Sequence, residues 1–274
     1  MRGTEALDRL RKTIDDGGVV IGSGAGTGIS AKFAEAGGAD LIIIYNSGRY
    51  RMAGRGSLSG LLPYGDANAI VLDMAGEVLP VVKDTPVLAG VCGTDPFRIM
   101  GGFLDTIADT GFAGVQNFPT VGLIDGNFRK NLEETGMSFS LEVDMIETAG
   151  SKGLLTAPYI FDVEQAEAMA GVGADVVVIH VGLTVSGSIG AETARSMGEA
   201  VEMVQRLGDA ARAVKDDVIV LFHGGPIANP DDVQYVLENT KGTQGFFGAS
   251  SVERLPVETA MTERMRQFKA TSRA

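Results

Sequence analysis

ADVVVIHVG, residues 174–182, is apolar at nearly every position and runs out at a histidine and a glycine. Continuous rather than alternating apolarity suits a parallel strand that is covered on both faces. Seven more runs share this form: VVIGSG (19–24), DLIIIYN (40–46), PVLAGVCG (86–93), GFAGVQNF (111–118), GLLTAPYIF (153–161), VIVLFHGG (218–225) and GFFGASS (245–251). A helical pattern follows each. Eight βα units in 274 residues predict an α/β chain folded as a closed (β/α)8 TIM barrel; a doubly wound sheet is the alternative. The opening segment, MRGTEALDRLRKTIDDGG, reads as an amphipathic helix before the first strand. No linker composition divides the chain, so residues 1–274 are expected to form one barrel domain.

The helices announce their starts. Asp95-Pro96, Asn229-Pro230 and Leu255-Pro256 put proline at a first helical turn, the first two after a good cap. Asp162 with Gln165 fits a capping box. AGGAD (36–40) and AGVGAD (170–175) each close a helix with glycine and open a strand, an echo that recurring βα units would leave.

Composition narrows the function. The formal charge of −12 argues against general nucleic-acid binding, which usually shows a basic face. No apolar run approaches the roughly 18 residues of a membrane span, and the amino-terminal segment lacks the apolar core of a signal peptide. Cys92 is the single cysteine, which excludes an internal disulfide and fits a reducing, cytoplasmic setting.

Barrel chemistry sits at the carboxyl ends of the strands. The first end, GSGAGTG (22–28), carries Ser23 but fails the G-x-G-x-x-G spacing of a dinucleotide loop. The second, YNSGRYRMAGRGSLSG (45–60), carries Asn46 and Ser47 as polar anchors and three arginines, Arg49, Arg51 and Arg55. Guanidinium forks suit carboxylate or phosphate, so Arg49 and Arg51 are candidate anion ligands, with Arg55 open between pocket and subunit interface. Cys92 and Asp95 mark the third end; an inert thiol and a helix cap are the plainer readings. Asn117 and Tyr159 mark the fourth and fifth as holders of a carbonyl or hydroxyl.

The sixth and seventh ends hold the only two histidines, His180 and His223, candidates for general acid and base. Gly224, Gly225, Ser250 and Ser251, after strands seven and eight, fit the phosphate-binding position of many barrels. Two histidines with no well-placed carboxylate assign no metal ligand. No lysine lies at a strand tip, which counts against Schiff-base aldolase chemistry.

The motifs YNSGRYRMAGRGSLSGLLPYGDAN, AGVCGTDPF, GVQNFPTVGLIDG, NLEETGM, LTAPYIF, GLTVSGSIG, HGGPI and GASSVERLPVE together resemble the phosphoenolpyruvate hydrolase-like TIM-barrel family, which also supplies a domain of a plant tobamovirus-resistance protein. The resemblance covers nearly the whole chain. It implies a barrel of the phosphoenolpyruvate/pyruvate superfamily, often assembled as homo-oligomers, acting on a small anionic enol or oxo acid by hydrolysis or carbon–carbon cleavage. Well-studied superfamily members bind Mg²⁺ through clustered carboxylates at the strand ends. Here Asp95 and the cap Asp162 are the only acids near a predicted tip, so no cofactor is fixed and a divalent metal such as Mg²⁺ stays an open alternative. The competing reading is a ligand-binding or protein-interaction barrel with little catalysis.

Overall fold

A computed structural model describes residues 2–272. Its strands are β1 (Val20–Gly24), β2 (Leu41–Ile44), β3 (Val87–Val91), β4 (Gly114–Asn117), β5 (Leu155–Thr156), β6 (Tyr159–Ile160), β7 (Val176–Gly182), β8 (Ile219–Gly224) and β9 (Gly245–Gly248). All neighbours pair in parallel, in the order β5-β4-β3-β2-β1-β9-β8-β7-β6. Each expected apolar run contains a strand, and the fifth contains two. β5 and β6 are halves of one barrel strand, broken at Ala157-Pro158 because proline has no N–H for a ladder. The break keeps both neighbours: Ala157 N donates to Val115 O at 3.0 Å, and Val178 N donates to Pro158 O at 2.8 Å. The sheet therefore closes as a (β/α)8 barrel.

The helices are α1 (Gly3–Asp15), α2 (Gly28–Ala36), α3 (Asn46–Met52), α4 (Ala67–Val78), α5 (Met100–Thr110) and α6 (Gly126–Glu134). They continue as α7 (Phe139–Ser151), α8 (Val163–Gly171), α9 (Met197–Val214), α10 (Pro230–Glu238) and α11 (Arg254–Lys269). Helix α1 contacts both β1 and β5, on opposite sides of the ring, so it crosses the amino-terminal end of the barrel and buries Ala6 and Leu10 there. No helix among the described residues is long and apolar enough to cross a membrane.

Local signals acted mostly as read. Asn229 caps α10 by accepting from Asp232 N at 3.0 Å, with Pro230 in the first turn. Asp162 caps α8 by accepting from Gln165 N at 2.8 Å. Asp95-Pro96 differs, because no helix starts there and α5 begins at Met100. Asp95 instead stabilises a turn, accepting from Phe97 N and from Asn68 Nδ2 at 2.9 Å each.

The AGGAD/AGVGAD echo has a physical cause. Asp40 accepts from Ile21 N at 2.8 Å and Asp175 accepts from Thr156 N at 3.0 Å, each reaching back 19 residues to the previous strand. The two aspartates perform the same strand-to-strand stitch in opposite halves of the barrel.

Candidate active site

The arginine-rich segment after β2 is helical. Tyr45 precedes α3, and residues 46–52 form two turns. Residues two apart on a helix point about 200° apart, so the arginines diverge. Arg49 pairs with Asp73 on α4, Nη1 to Oδ2 at 2.5 Å, and stays partly exposed. Arg55 lies beyond the helix and donates to Gly54 O at 3.2 Å. Only Arg51 turns inward, so the expected arginine clamp reduces to one guanidinium.

Arg51 meets Glu253, the residue before α11. Its Nη2 and Nε stand 2.6 and 3.0 Å from Glu253 Oε2, with both side chains 1% exposed. Burial alone works against the Arg51 charge, but Tyr45 and Glu253 outweigh it and keep the guanidinium protonated. The other carboxylate oxygen of Glu253 accepts from Gly26 N at 2.6 Å and from the Ser30 hydroxyl. Gly26 must be glycine for this: a Cβ there would lie 2.1 Å from Gly48 O on α3. The glycine loop after β1 thus presents its amide to the protein's own carboxylate.

Two tyrosines and two histidines face Arg51. Tyr45 interacts through its side chain with Arg51 and with Tyr159, which stands at the start of β6. Tyr159 packs against both imidazoles, with ring centroids 5.0 Å from His180 and 5.2 Å from His223. The histidines face each other across paired positions of β7 and β8, centroids 4.7 Å apart, and Phe161 stacks on His180 at 5.1 Å. Cross-strand register explains the juxtaposition: His180 and His223 are direct Cα partners in the parallel ladder.

Burial sets the protonation of these groups. The Tyr159 phenol is pushed well above its ordinary range by desolvation and then by Tyr45. His180 falls well below its usual value, through desolvation and then through His223. His223 falls to about 4, through desolvation and then the Arg51 charge, against a bond to Phe247 O that favours the cation. That bond, Nδ1 to Phe247 O at 2.5 Å, fixes the tautomer: the carbonyl only accepts, so Nδ1 carries the hydrogen and Nε2 is bare. His180 Nδ1 is buried with no partner.

The other expected site residues lie around this centre. Ser47, Ser57 and Ser250 line it, with the Ser57 and Ser250 hydroxyls 3.4 Å apart. Asn46 turns away, donating to Gly60 O at 2.9 Å. Asn117 is a buried tie across the broken fifth strand: its Oδ1 accepts from Tyr159 N at 2.6 Å and its Nδ2 donates to Glu142 at 2.6 Å. Ser23 donates weakly to Gly24 O and borders a groove between α2 and α11. Gly224 and Gly225 take φ values of +76° and +64°, and Gly225 N donates to Gly182 O at 2.7 Å, so that amide is spent on β7. The Ser251 hydroxyl is buried without a partner. Ser250 alone of the four phosphate candidates reaches the central cavity.

The polar contributors that escaped the sequence reading include Tyr45, Ser57, Glu253 and Glu142. Tyr45 ends the run DLIIIYN and Glu253 stands in GASSVER, so both had a strand-end address. Glu142 had none, since it sits inside α7 and reaches the β4 end only through folding. Burial raises its pKa to about 7, against hydrogen bonds from Thr120, Val121 and Asn117.

The cavity itself is about 20 Å³, roughly the room of one water. Leu183 and Thr184, at the head of the segment 183–196, help close it. This segment is clasped to α11: Arg254 Nη2 donates to Ser186 O at 2.9 Å, and Glu258 accepts from Ser188 N at 2.9 Å. No group of three His, Cys, Asp or Glu among the described residues is placed to hold a metal ion.

Residues 5–271 match the phosphoenolpyruvate hydrolase-like family. The chain belongs to this family. Among curated relatives of this phosphoenolpyruvate hydrolase-like protein is the ToMV susceptible protein tm-1(GCR26) of Solanum lycopersicum, 63% identical over 266 residues. That match covers 97% of this chain but 35% of the tomato protein, so the chain spans about a third of that relative's length. Among solved structures, phosphoenolpyruvate phosphomutase from Streptomyces platensis subsp. rosaceus superposes with a TM-score of 0.62 at 20% identity, covering 96% of this chain and 87% of the other. A phosphonopyruvate hydrolase in complex with oxalate and Mg++ gives 0.60 at 14% identity, covering 98% and 88%. At these identities the superpositions establish a shared fold.

Proposed function

We propose that this chain is an enzyme acting on a small anionic enol or oxo acid, by hydrolysis or carbon–carbon cleavage. The observation that carries this reading is the convergence of Arg51, Tyr45, Tyr159, His180 and His223 on one enclosed point at the carboxyl ends of the strands. Kinship of fold with a hydrolase that binds oxalate supports the substrate class. Arg51 and the Tyr45 hydroxyl hold the carboxylate. His180 takes the proton of an attacking water, or of a substrate hydroxyl whose cleavage sends electrons to an enolate oxygen, while Nε2 of His223 serves as the proton donor. Tyr159, kept neutral by burial, donates a hydrogen bond to that oxygen. Ser47 and Ser250 hold the far end of the ligand, and Leu183 and Thr184 move aside to admit it.

Mg²⁺, which accompanies oxalate in that hydrolase, does not fit the donors at this centre. Glu253 is already shared among Gly26, Ser30 and Arg51, and no carboxylate among the described residues lines the cavity to ligate the ion. The residues described above carry the mechanism without it.

The protein is further proposed to work in the cytoplasm as a homo-oligomer whose partner is a small anionic metabolite, with no role for nucleic acid or membrane. Thermal shift against phosphorylated and carboxylated metabolites, followed by NMR turnover of each hit, tests the enzyme reading. Turnover that falls at least 100-fold in His223→Ala supports it. Hits without turnover favour a ligand-binding barrel, and unchanged turnover in both His180→Ala and His223→Ala removes the proton-transfer roles.

A further inference from the structure

We propose that the site takes up its anion together with one proton, which settles on His223, so that the bound pair is an anion facing an imidazolium. This rests on the anion-site reading above and adds the charge state of the ligand that the site accepts.

The fixed charges come first. Arg51 is the one charged residue lining the cavity among the described residues, and Glu253 cancels it at 2.6 Å. The groups facing His223 are Arg51 from α3, Tyr45 from the end of β2, Tyr159 from β6 and His180 from β7; Thr184 and Ser250 complete the wall. Beyond the Arg51–Glu253 pair, none of them is charged when the imidazoles are neutral. A dianion entering this enclosure meets no net positive charge, although unbalanced charge is costly where water is excluded.

The hydrogen-bond inventory leads to the same place. Neutral His223 spends its one N–H on Phe247 O at 2.5 Å and turns a lone pair at Nε2 towards the cavity. A carboxylate oxygen meeting that lone pair is repelled; protonated at Nε2, the same ring donates to it. His180 and His223, 4.7 Å apart, do not both carry a proton without mutual repulsion, so the uptake is one. His223 is the better holder. Its Nδ1–H already has a carbonyl acceptor that stabilises the cation, whereas His180 Nδ1 is buried with no acceptor. The depressed value of the free His223 agrees that the proton arrives with the ligand. Bookkeeping is simple: one anion and one proton from solvent enter, and no covalent bond of the ligand changes.

Titration calorimetry with oxalate as probe, at pH 6 and pH 7 in two buffers of different ionisation enthalpy, reads the uptake directly. The expected result is about one proton taken up per oxalate at pH 6, with affinity falling by up to about tenfold from pH 6 to pH 7. His223→Gln should abolish the uptake, while His180→Gln should retain it. Oxalate binding with no proton uptake and no pH dependence overturns this inference and leaves the anion site standing. Undiminished uptake in a folded His223→Gln also overturns it, by placing the proton elsewhere. Absence of oxalate binding at both pH values overturns this inference and the anion-site reading together. Should His223→Gln not fold, retention of the uptake in His180→Gln supports the assignment to His223, and its loss there overturns it.

Discussion

Arg51 and Glu253 stand 202 residues apart in the chain and 2.6 Å apart at the centre of the barrel, with neither side chain more than 1% exposed. Removing one partner strands a buried charge. Glu253→Ala should therefore cost about 3–5 kcal/mol in urea denaturation. Replacing both, Arg51→Met with Glu253→Leu, should recover most of that loss, while the loss of Arg51 abolishes oxalate binding. A pair that held the fold rather than the ligand would give the opposite pattern.

Both histidines are neutral in the folded protein, His223 with a pKa near 4 and His180 well below its usual value. Unfolded, each titrates near about 6.5. Below that pH the unfolded chain binds more protons than the folded one. The histidine contribution to stability is thus full above about pH 6.5 and falls as pH drops towards 4, with His223 supplying about 3 kcal/mol. In denaturation series at pH 7 and pH 5, His223→Gln should flatten this fall.

Glu142 acts with the opposite sign. Its folded pKa of about 7 lies above the ordinary 4.5, so between those values the folded state holds a proton that the unfolded state releases. Its contribution is greatest below pH 4.5 and declines as pH rises through 7, by roughly 3 kcal/mol. Glu142→Gln should remove that decline. The checking measurement is the difference in unfolding free energy between variant and wild type, which should shift towards the variant from pH 5 to pH 8.

The clasp between α11 and segment 183–196 should set how fast ligand reaches the cavity. Arg254→Ala deletes the bond to Ser186 O and the ion pair to Glu258. Hydrogen exchange should then speed up in 183–196 and not in β1 or β2. Stopped-flow association of oxalate should quicken several-fold.

Helix α11 exposes Met261, Met265 and Phe268. Such an apolar stripe marks a contact surface. Light scattering on the purified protein should give a mass above one chain, and Met261→Glu with Met265→Glu should reduce it. A monomeric wild type would contradict the homo-oligomer.

The barrel was legible because its cause is local and repeated. Eight apolar runs, each needing cover on both faces, allow few topologies, and the AGGAD/AGVGAD echo records one stitch made twice. The strand-end position of each histidine was legible as well, since each lies near the end of its own run, but the register that pairs them belongs to the folded sheet. The arginines were less so. Reading 45–60 only as a strand end put Arg49 and Arg51 on one rim, whereas two turns of helix send them to opposite sides. Asp95-Pro96 misled in a similar way, with a turn satisfying the aspartate that a helix would have used.

The sequence by itself determined which segments become strands, and so which residues reach the barrel mouth, because burial pattern and strand ends are properties of neighbouring residues. The tertiary structure alone decided that Glu253 neutralises Arg51, that Glu142 and Asn117 brace the broken fifth strand, and that both histidines are uncharged. Each of those outcomes depends on desolvation and on partners 21 to 202 residues away, and neither exists until the ring has closed.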